Sequence, residues 1–353
     1  MKDSKPRVSV IILNWNGWKD TLECLESLRQ ITYPNYDLII VDNGSRDGSL
    51  EEIRRYLQGE APRESQQLES QHFQPKMRGK PMVVWECTKE EAEMGIHPGT
   101  DFHKLPSNER MVLLKNDKNY GFAEGSNVGM RYALAALDPD YILLLNNDTA
   151  VKGDFLDELV KASESDEHVG FAGPIILYYD HYGRKDIIST AGGELIMRKG
   201  SIRLLGQGEA DQGQYNAIRS VDYAEGSCLL INRAVLDEIG LLDSSYFLYW
   251  EETDLCARGR EAGYKCICVP TARIWHKVSA SLSLVGKTYI YHVVRNRFWF
   301  MRSHATQGEF YLFMAYFFLR QFPINAWVYL KRRDLERLSA FLKGTYHGLM
   351  CKR

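Results

Sequence analysis

The run 141–145 (YILLL) is aromatic and aliphatic and ends on Asn146, Asn147 and Asp148. Three polar side chains in a row can shape a turn, because Asn and Asp hydrogen-bond their own backbone. At the carboxyl end of a strand they can also hold a hard cation, since an Asp flanked by amides offers oxygen ligands of the kind Mg²⁺ and Mn²⁺ take. A second acidic group, Glu251, Glu252 and Asp254, follows the aromatic residues Tyr246, Phe247, Tyr249 and Trp250. Carboxylates at a helix start complement the helix dipole. Beside aromatic rings they also suit a base next to a sugar platform, because crowding raises one carboxylate's pKa. His276 ends the short run 272–276, where a lone His is more often packed than a ligand. A zinc site from Cys256, Cys266, Cys268 and His276 matches no common finger spacing.

Such residues act together only if the chain gathers them. Runs 7–13, 36–41, 111–114, 141–145 and 169–177 have strand character, and leucines at helical spacing follow the first over 20–30. Further helices are predicted near 50–57, 124–137 and 250–263. Alternation of strand and helix implies an α/β fold with a mostly parallel sheet. Four strand ends are polar in the same way: Asn14 and Asn16, Asp42 and Asn43, the stretch 116–119 with Asn119, and Asn146 to Asp148. In a parallel sheet these ends share one edge, so the side chains converge on one crevice. A dinucleotide fingerprint is excluded, because "NWNGW" has a single glycine, and no Walker loop is present. Asp42 can accept from a ribose hydroxyl or a base N–H of a single nucleotide. The glycines of "GFAEGSNVG", four apart, admit either a phosphate or a neighbouring strand. Residues 59–110 are polar enough to be an insertion, partly ordered at best, and 191–219 is expected to form a hairpin or flap.

Composition limits the function classes. A chain of 353 residues with 44% hydrophobic content can bury a core for two sub-domains. Seven scattered Cys and a charged, non-signal N-terminus point to a reducing cytoplasm. Residues 287–353 hold twelve Lys and Arg against three Asp and Glu, and sixteen of the 41 aromatic residues. A basic, aromatic tail on an acidic body suits an anionic surface, and no nucleic-acid-binding signature is present. The run 310–330 is broken by Arg320, Gln321 and Pro323, too short an apolar stretch to span a bilayer. It fits helices on the cytoplasmic face of a membrane, or a cap on the body or against a second copy in a homodimer.

The ordered set "VSVIILNWNG", "LIIVDNGSRDGS", "NYGFAEGSNVG", "LLLNNDT", "EGSCLLINRAVLDEIGLLD", "FLYWEETDLCARGREAGYKCICVP" and "ARIWH" resembles glycosyltransferase family 2, especially its rhamnosyltransferase-like branch. The resemblance implies a GT-A fold over 1–285, interrupted by the insertion, with 286–353 as a helical tail. It implies an inverting enzyme that uses a nucleotide-diphosphate sugar with Mg²⁺ or Mn²⁺ to build surface polysaccharide on a glycan or lipid-linked acceptor. Carried over by position, Asn14, Trp15, Asn16 and Asp42 match nucleotide-contacting loops, and Asn119, Asn127, Asn146 and Asn147 are expected in the same donor crevice. Asp148 and His276 match metal ligands. Asn146 stands where the family has a first Asp, leaving it a ribose or water-mediated contact. Glu252 stands at the catalytic Asp of a Glu-Asp pair, so the base is Glu252 or Glu251, with Trp250 and Asp254 facing the acceptor. A sugar-1-phosphate nucleotidyltransferase would want an Arg-containing glycine loop after the first strand, and a carbohydrate-binding scaffold would bind no cation-dependent nucleotide.

Overall fold

The computed structural model describes residues 5–60, 81–278 and 286–351. In chain order the first half reads β1 (Val8–Asn14), α1 (Trp18–Leu28), β2 (Tyr36–Asp42), α2 (Ser49–Leu57), β3 (Val83–Thr88), α3 (Lys89–Glu93), α4 (Thr100–His103), β4 (Arg110–Lys115), α5 (Gly121–Ala136) and β5 (Tyr141–Asn146). The second half continues with β6 (Thr149–Val151), α6 (Phe155–Ser163), β7 (Val169–Tyr178), β8 (Ile188–Thr190), β9 (Gly193–Ile196), β10 (Ser201–Leu204), β11 (Arg219–Val221), β12 (Cys228–Asn232), α7 (Arg233–Ile239), α8 (Glu251–Glu261) and β13 (Lys265–His276). Four tail α-helices follow, the second and third joined by a π-helical turn (Phe317–Gln321): α9 (Gly286–His304), α10 (Gln307–Tyr316), α11 (Phe322–Lys331) and α12 (Leu335–Met350).

Among the described residues eleven strands form one sheet, its main path running β11-β13-β7-β12-β5-β1-β2-β4-β3. The β-branched strands are buried on both faces because helices cover both. Val8, Val10 and Ile12 of β1 enter one core with Leu22 and Leu25 of α1 and Leu156 of α6. Ile11 enters the other with Ala123, Val128 and Met130 of α5. Strands β1, β2, β4 and β5 pair in parallel, as do β7 and β13. Strand β12 runs antiparallel between β5 and β7. Its start therefore lies at the edge where the parallel strands end.

One sequence expectation changes. Part of the span expected as an insertion is built into the sheet: β3 pairs in parallel with β4, and α3 and α4 follow it. Residues 61–80 of that span lie outside the described residues. The tail packs on the body, one of the arrangements expected of it: Phe298, Phe300, Phe313, Phe317 and Phe341 share one buried cluster with Tyr246 and Trp250. The segment 191–219 contains the β9–β10 hairpin. Residues 279–285, 352 and 353 lie outside the described residues.

Candidate active site

The four polar strand ends meet and hydrogen-bond to one another. Asn14 Nδ2 donates to Asp42 Oδ1 at 2.8 Å and to Ser45 Oγ at 3.1 Å, while its Oδ1 accepts from Thr21 Oγ1 at 2.9 Å. Asp42 Oδ2 accepts from the Ser45 amide at 3.1 Å. Asn16, with a left-handed φ of 53°, accepts from the Arg46 amide at 2.8 Å. Asn147 Nδ2 ties the β5 end to Thr21 Oγ1 at 3.1 Å. Trp15 is 56% exposed at the rim. These bonds fix a crevice floor from loops far apart in sequence, and they leave half-exposed Asn146 at its edge.

Asn43 is the centre of a second network. Its Oδ1 accepts from Asn116 Nδ2 at 3.0 Å and the Tyr120 amide at 3.1 Å, and its Nδ2 donates to Asn119 Oδ1 at 3.0 Å. Asn119 is thereby committed to shaping the start of α5, where it also accepts from the Gly121 amide at 2.7 Å. The glycines of α5 answer the packing alternative. A Cβ on Gly125 would lie 2.8 Å from Leu13 Cδ1, and one on Gly129 2.8 Å from Ile11 Cγ2. They bring the helix onto β1.

At the end of β5, Asp148 is buried, and its Oδ1 lies 3.0 Å from His276 Nε2 at the end of β13. His276 Nδ1 lies 3.3 Å from Glu225 Oε1. Burial alone would lower the imidazole pKa, but Asp148 and Glu225 together raise it to about 10. Burial would raise the Asp148 carboxyl, and the His276 charge holds it below its ordinary value. Asp148 Oδ2 is buried without a hydrogen-bond partner. One carboxylate with an orphaned oxygen suits a divalent cation, and the neighbouring imidazole can join as a ligand by giving up its proton. Among the described residues no three His, Cys, Asp or Glu side chains cluster to hold one unaided.

Glu251 and Glu252 open α8. Burial, then the neighbouring Glu252 charge, push Glu251 well above the usual carboxylate range. Half-buried Glu252 is raised to about 7, first by burial, with Glu225 adding repulsion. Each keeps a buried oxygen, Oε2, without a partner. A Cβ on Gly226 would approach Glu252 Cγ to 3.3 Å, so the glycine leaves that side chain its room.

Several expected site residues lie elsewhere. Asn127 pairs reciprocally with the backbone of Leu242, donating at 2.7 Å and accepting at 3.1 Å, and faces no ligand crevice. Asp254 is fully buried, accepting from Tyr246 Oη at 3.1 Å and Arg258 Nε at 2.8 Å. It also lies 3.0 Å from His304 Nε2. Trp250 packs inward against Phe300, ring centroids 5.0 Å apart. Neither is an acceptor platform: the helix start turns one wall of the 250–254 cluster into the core. The zinc reading fails on distance, since His276 lies eight strand residues beyond Cys268 on β13, roughly 25 Å.

Glu225 is the residue the sequence reading passes over. It lies just before an antiparallel strand, so its place beside His276 depends on the direction of β12, which periodicity does not reveal. Lys277 is another: its amide donates to the Asp148 carbonyl at 3.0 Å, and its Nζ to Asp20 at 2.6 Å.

Two family models match the chain: glycosyl transferase family 2 over residues 9–68 and glycosyltransferase like family 2 over residues 101–289. The chain is 25% identical over 247 residues to the low-salt glycan biosynthesis hexosyltransferase Agl10 of Haloferax volcanii, covering 69% of this chain and 77% of that one. It is 22% identical over 209 residues to the dTDP-rhamnosyl transferase RfbF of Shigella flexneri, covering 57% of this chain and 66% of that one. In three dimensions it is similar to the mannosyltransferase PcManGT of Pyrobaculum calidifontis in complex with GDP-Man and Mn²⁺. That likeness has a TM-score of 0.56 at 14% identity, over 99% of this chain and 89% of that one. With a family model spanning more than half its length and the GT-A sheet beneath it, the chain belongs to glycosyltransferase family 2, and its chemistry is glycosyl transfer.

Proposed function

We propose that this chain is an inverting glycosyltransferase in which Asp148 and His276 secure the diphosphate end of a nucleotide-sugar and Glu252 deprotonates an acceptor hydroxyl. The observation that carries the reading is the set of buried, unpartnered carboxylate oxygens on Asp148, Glu251 and Glu252 around one sheet edge. A divalent cation, when bound, would neutralise charge developing on the leaving diphosphate. Imidazole among the ligands favours Mn²⁺ over Mg²⁺, which prefers an all-oxygen shell. Asn14 and Asp42 form the floor on which the nucleotide rests. Burial and the Glu252 charge favour the neutral form of Glu251, whereas Glu252, raised to about 7, suits a base at neutral pH. One base opposite one leaving-group clamp gives single in-line displacement. The relatives' names support a hexose or deoxyhexose as the transferred sugar.

The tail supports the second part of the proposal, an anionic lipid surface as docking partner and a lipid-linked glycan as acceptor. Helix α11 has no fully buried residue, and Leu319, Ile324, Trp327 and Leu330 are exposed beside Arg320, Lys331, Arg332 and Arg333. No helix among the described residues is long and apolar enough to cross a membrane. The test of the central reading is release of nucleoside diphosphate from UDP-, GDP- and dTDP-sugars by the purified chain, with and without Mn²⁺. Release from one donor class that requires the cation is expected, and cation-independent or absent release with every donor overturns it.

A further inference from the structure

The loop that delivers Glu251 and Glu252 is held from outside the sheet. Phe247, Tyr249 and Trp250 have φ values of 65°, 68° and 76°, a left-handed region that non-glycine residues rarely occupy. Three such residues within four persist only where surrounding structure overdetermines them. One face of α9 supplies that structure. Buried Asn296 donates from Nδ2 to the carbonyls of Tyr246 at 2.9 Å, Leu248 at 2.9 Å and Tyr249 at 2.7 Å. Its Oδ1 accepts from Arg295 Nε at 2.8 Å, and the Arg295 guanidinium reaches the Ser245 carbonyl at 3.0 Å. One turn to either side along that face, His292 stacks on Phe247 at 5.1 Å and Phe300 packs on Trp250 at 5.0 Å. From the opposite side, the Phe122 amide at the start of α5 donates to the Phe247 carbonyl at 2.7 Å.

We infer that Asn296 is a positioning residue for the catalytic carboxylates, acting through the backbone of the 246–250 loop. The inference rests on the reading of Glu252 as the base. Asn296 touches no reacting atom; its two N–H groups, one of them shared, serve three carbonyls that a left-handed run turns away from regular secondary structure. Helix α9 is accordingly part of the catalytic unit.

The test compares Asn296→Ser, Arg295→Lys and Glu252→Gln with the unaltered chain, using whichever of UDP-, GDP- or dTDP-sugar the unaltered chain turns over fastest, with Mn²⁺. Asn296→Ser is expected to lower kcat at least tenfold while donor KM and calorimetric donor binding stay within twofold. Its ascending pH–rate limb should move below that of the unaltered chain, because a loosened loop exposes Glu252 to water. Arg295→Lys should repeat the pattern at smaller size, which carries the test if the serine variant folds poorly. Unchanged kcat in both variants, or parallel loss of donor binding and turnover in both, overturns the inference. Full turnover in Glu252→Gln instead overturns the reading of the base on which it rests.

Discussion

Asp148 and Glu252 are both carboxylates near one crevice, and their surroundings push them in opposite directions. His276 keeps Asp148 ionised and so ready for a cation. Asp148→Ala should abolish Mn²⁺-dependent binding of the nucleotide-sugar, and His276→Ala should weaken it by about tenfold or more, both read by calorimetry. Metal dependence unchanged in the Asp148 variant would count against the ligand role. For Glu252 the sign follows from its raised value: the acid form dominates below about 7 and cannot accept a proton. Thus kcat/KM should climb as pH rises through about 7, and in Glu252→Gln the climb should vanish with a loss of roughly 10² to 10⁴ in kcat at nearly unaltered donor affinity. If Glu251→Gln shows the larger loss, the base is Glu251. That Asp148 and His276 meet is legible from their places at the ends of strands in one sheet, and that Glu251 and Glu252 share a helix start is legible from their spacing after the aromatic run. Trp250 and Asp254 were misread because an acidic helix start beside aromatics looks alike whether it faces a substrate or a core, and only the packing of Phe300 and His304 against it decides.

Among the elements, α5 links the two sides of the site. Its first residue, Gly121, has φ 82°, and a Cβ there would stand 2.4 Å from the Phe247 carbonyl oxygen. Gly121→Ala must therefore both strain the backbone and push the carboxylate-bearing loop away. A loss of about 1–3 kcal/mol in urea unfolding is expected, with turnover falling further than that loss of folded protein explains. A variant as stable and active as the original would show that the close approach is dispensable. The strands β1, β2, β4, β5 and β7 were readable because burial on both faces demands continuous apolar runs. Edge strand β3 was not, since its short apolar run is surrounded by a long polar stretch and only Cys87 of its six residues is buried. Strand direction was equally invisible: nothing in "CLLIN" says that it runs against its neighbours, and Glu225 went unnoticed for that reason.

At the scale of the molecule, the tail has a packed face and a bare one. Removing everything after 303 would strip Phe313, Phe317 and Phe341 from the cluster that supports Trp250, so truncation confounds membrane binding with damage to the site. Reversing charge at Lys331, Arg332 and Arg333, all exposed, is the cleaner experiment. Flotation with anionic liposomes should be lost in that triple Glu variant and weakened by high salt in the original, while donor turnover in solution is kept. Equal flotation of the two proteins would remove the tail as the docking element. The reversed strand at the centre of the sheet also governs how the chain can fold. β12 fills the gap between β5 and β7, yet it lies more than fifty residues after β7 begins and more than eighty after β5 begins. During synthesis the nucleotide-binding half can form its parallel pairs early, but β5 presents an unpaired edge until residue 232 has emerged. Such an edge is a template for association with other chains. The strand that brings Glu225 to the site thus makes completion of the sheet a late, long-range event, with a slow closure that local helix formation cannot hasten.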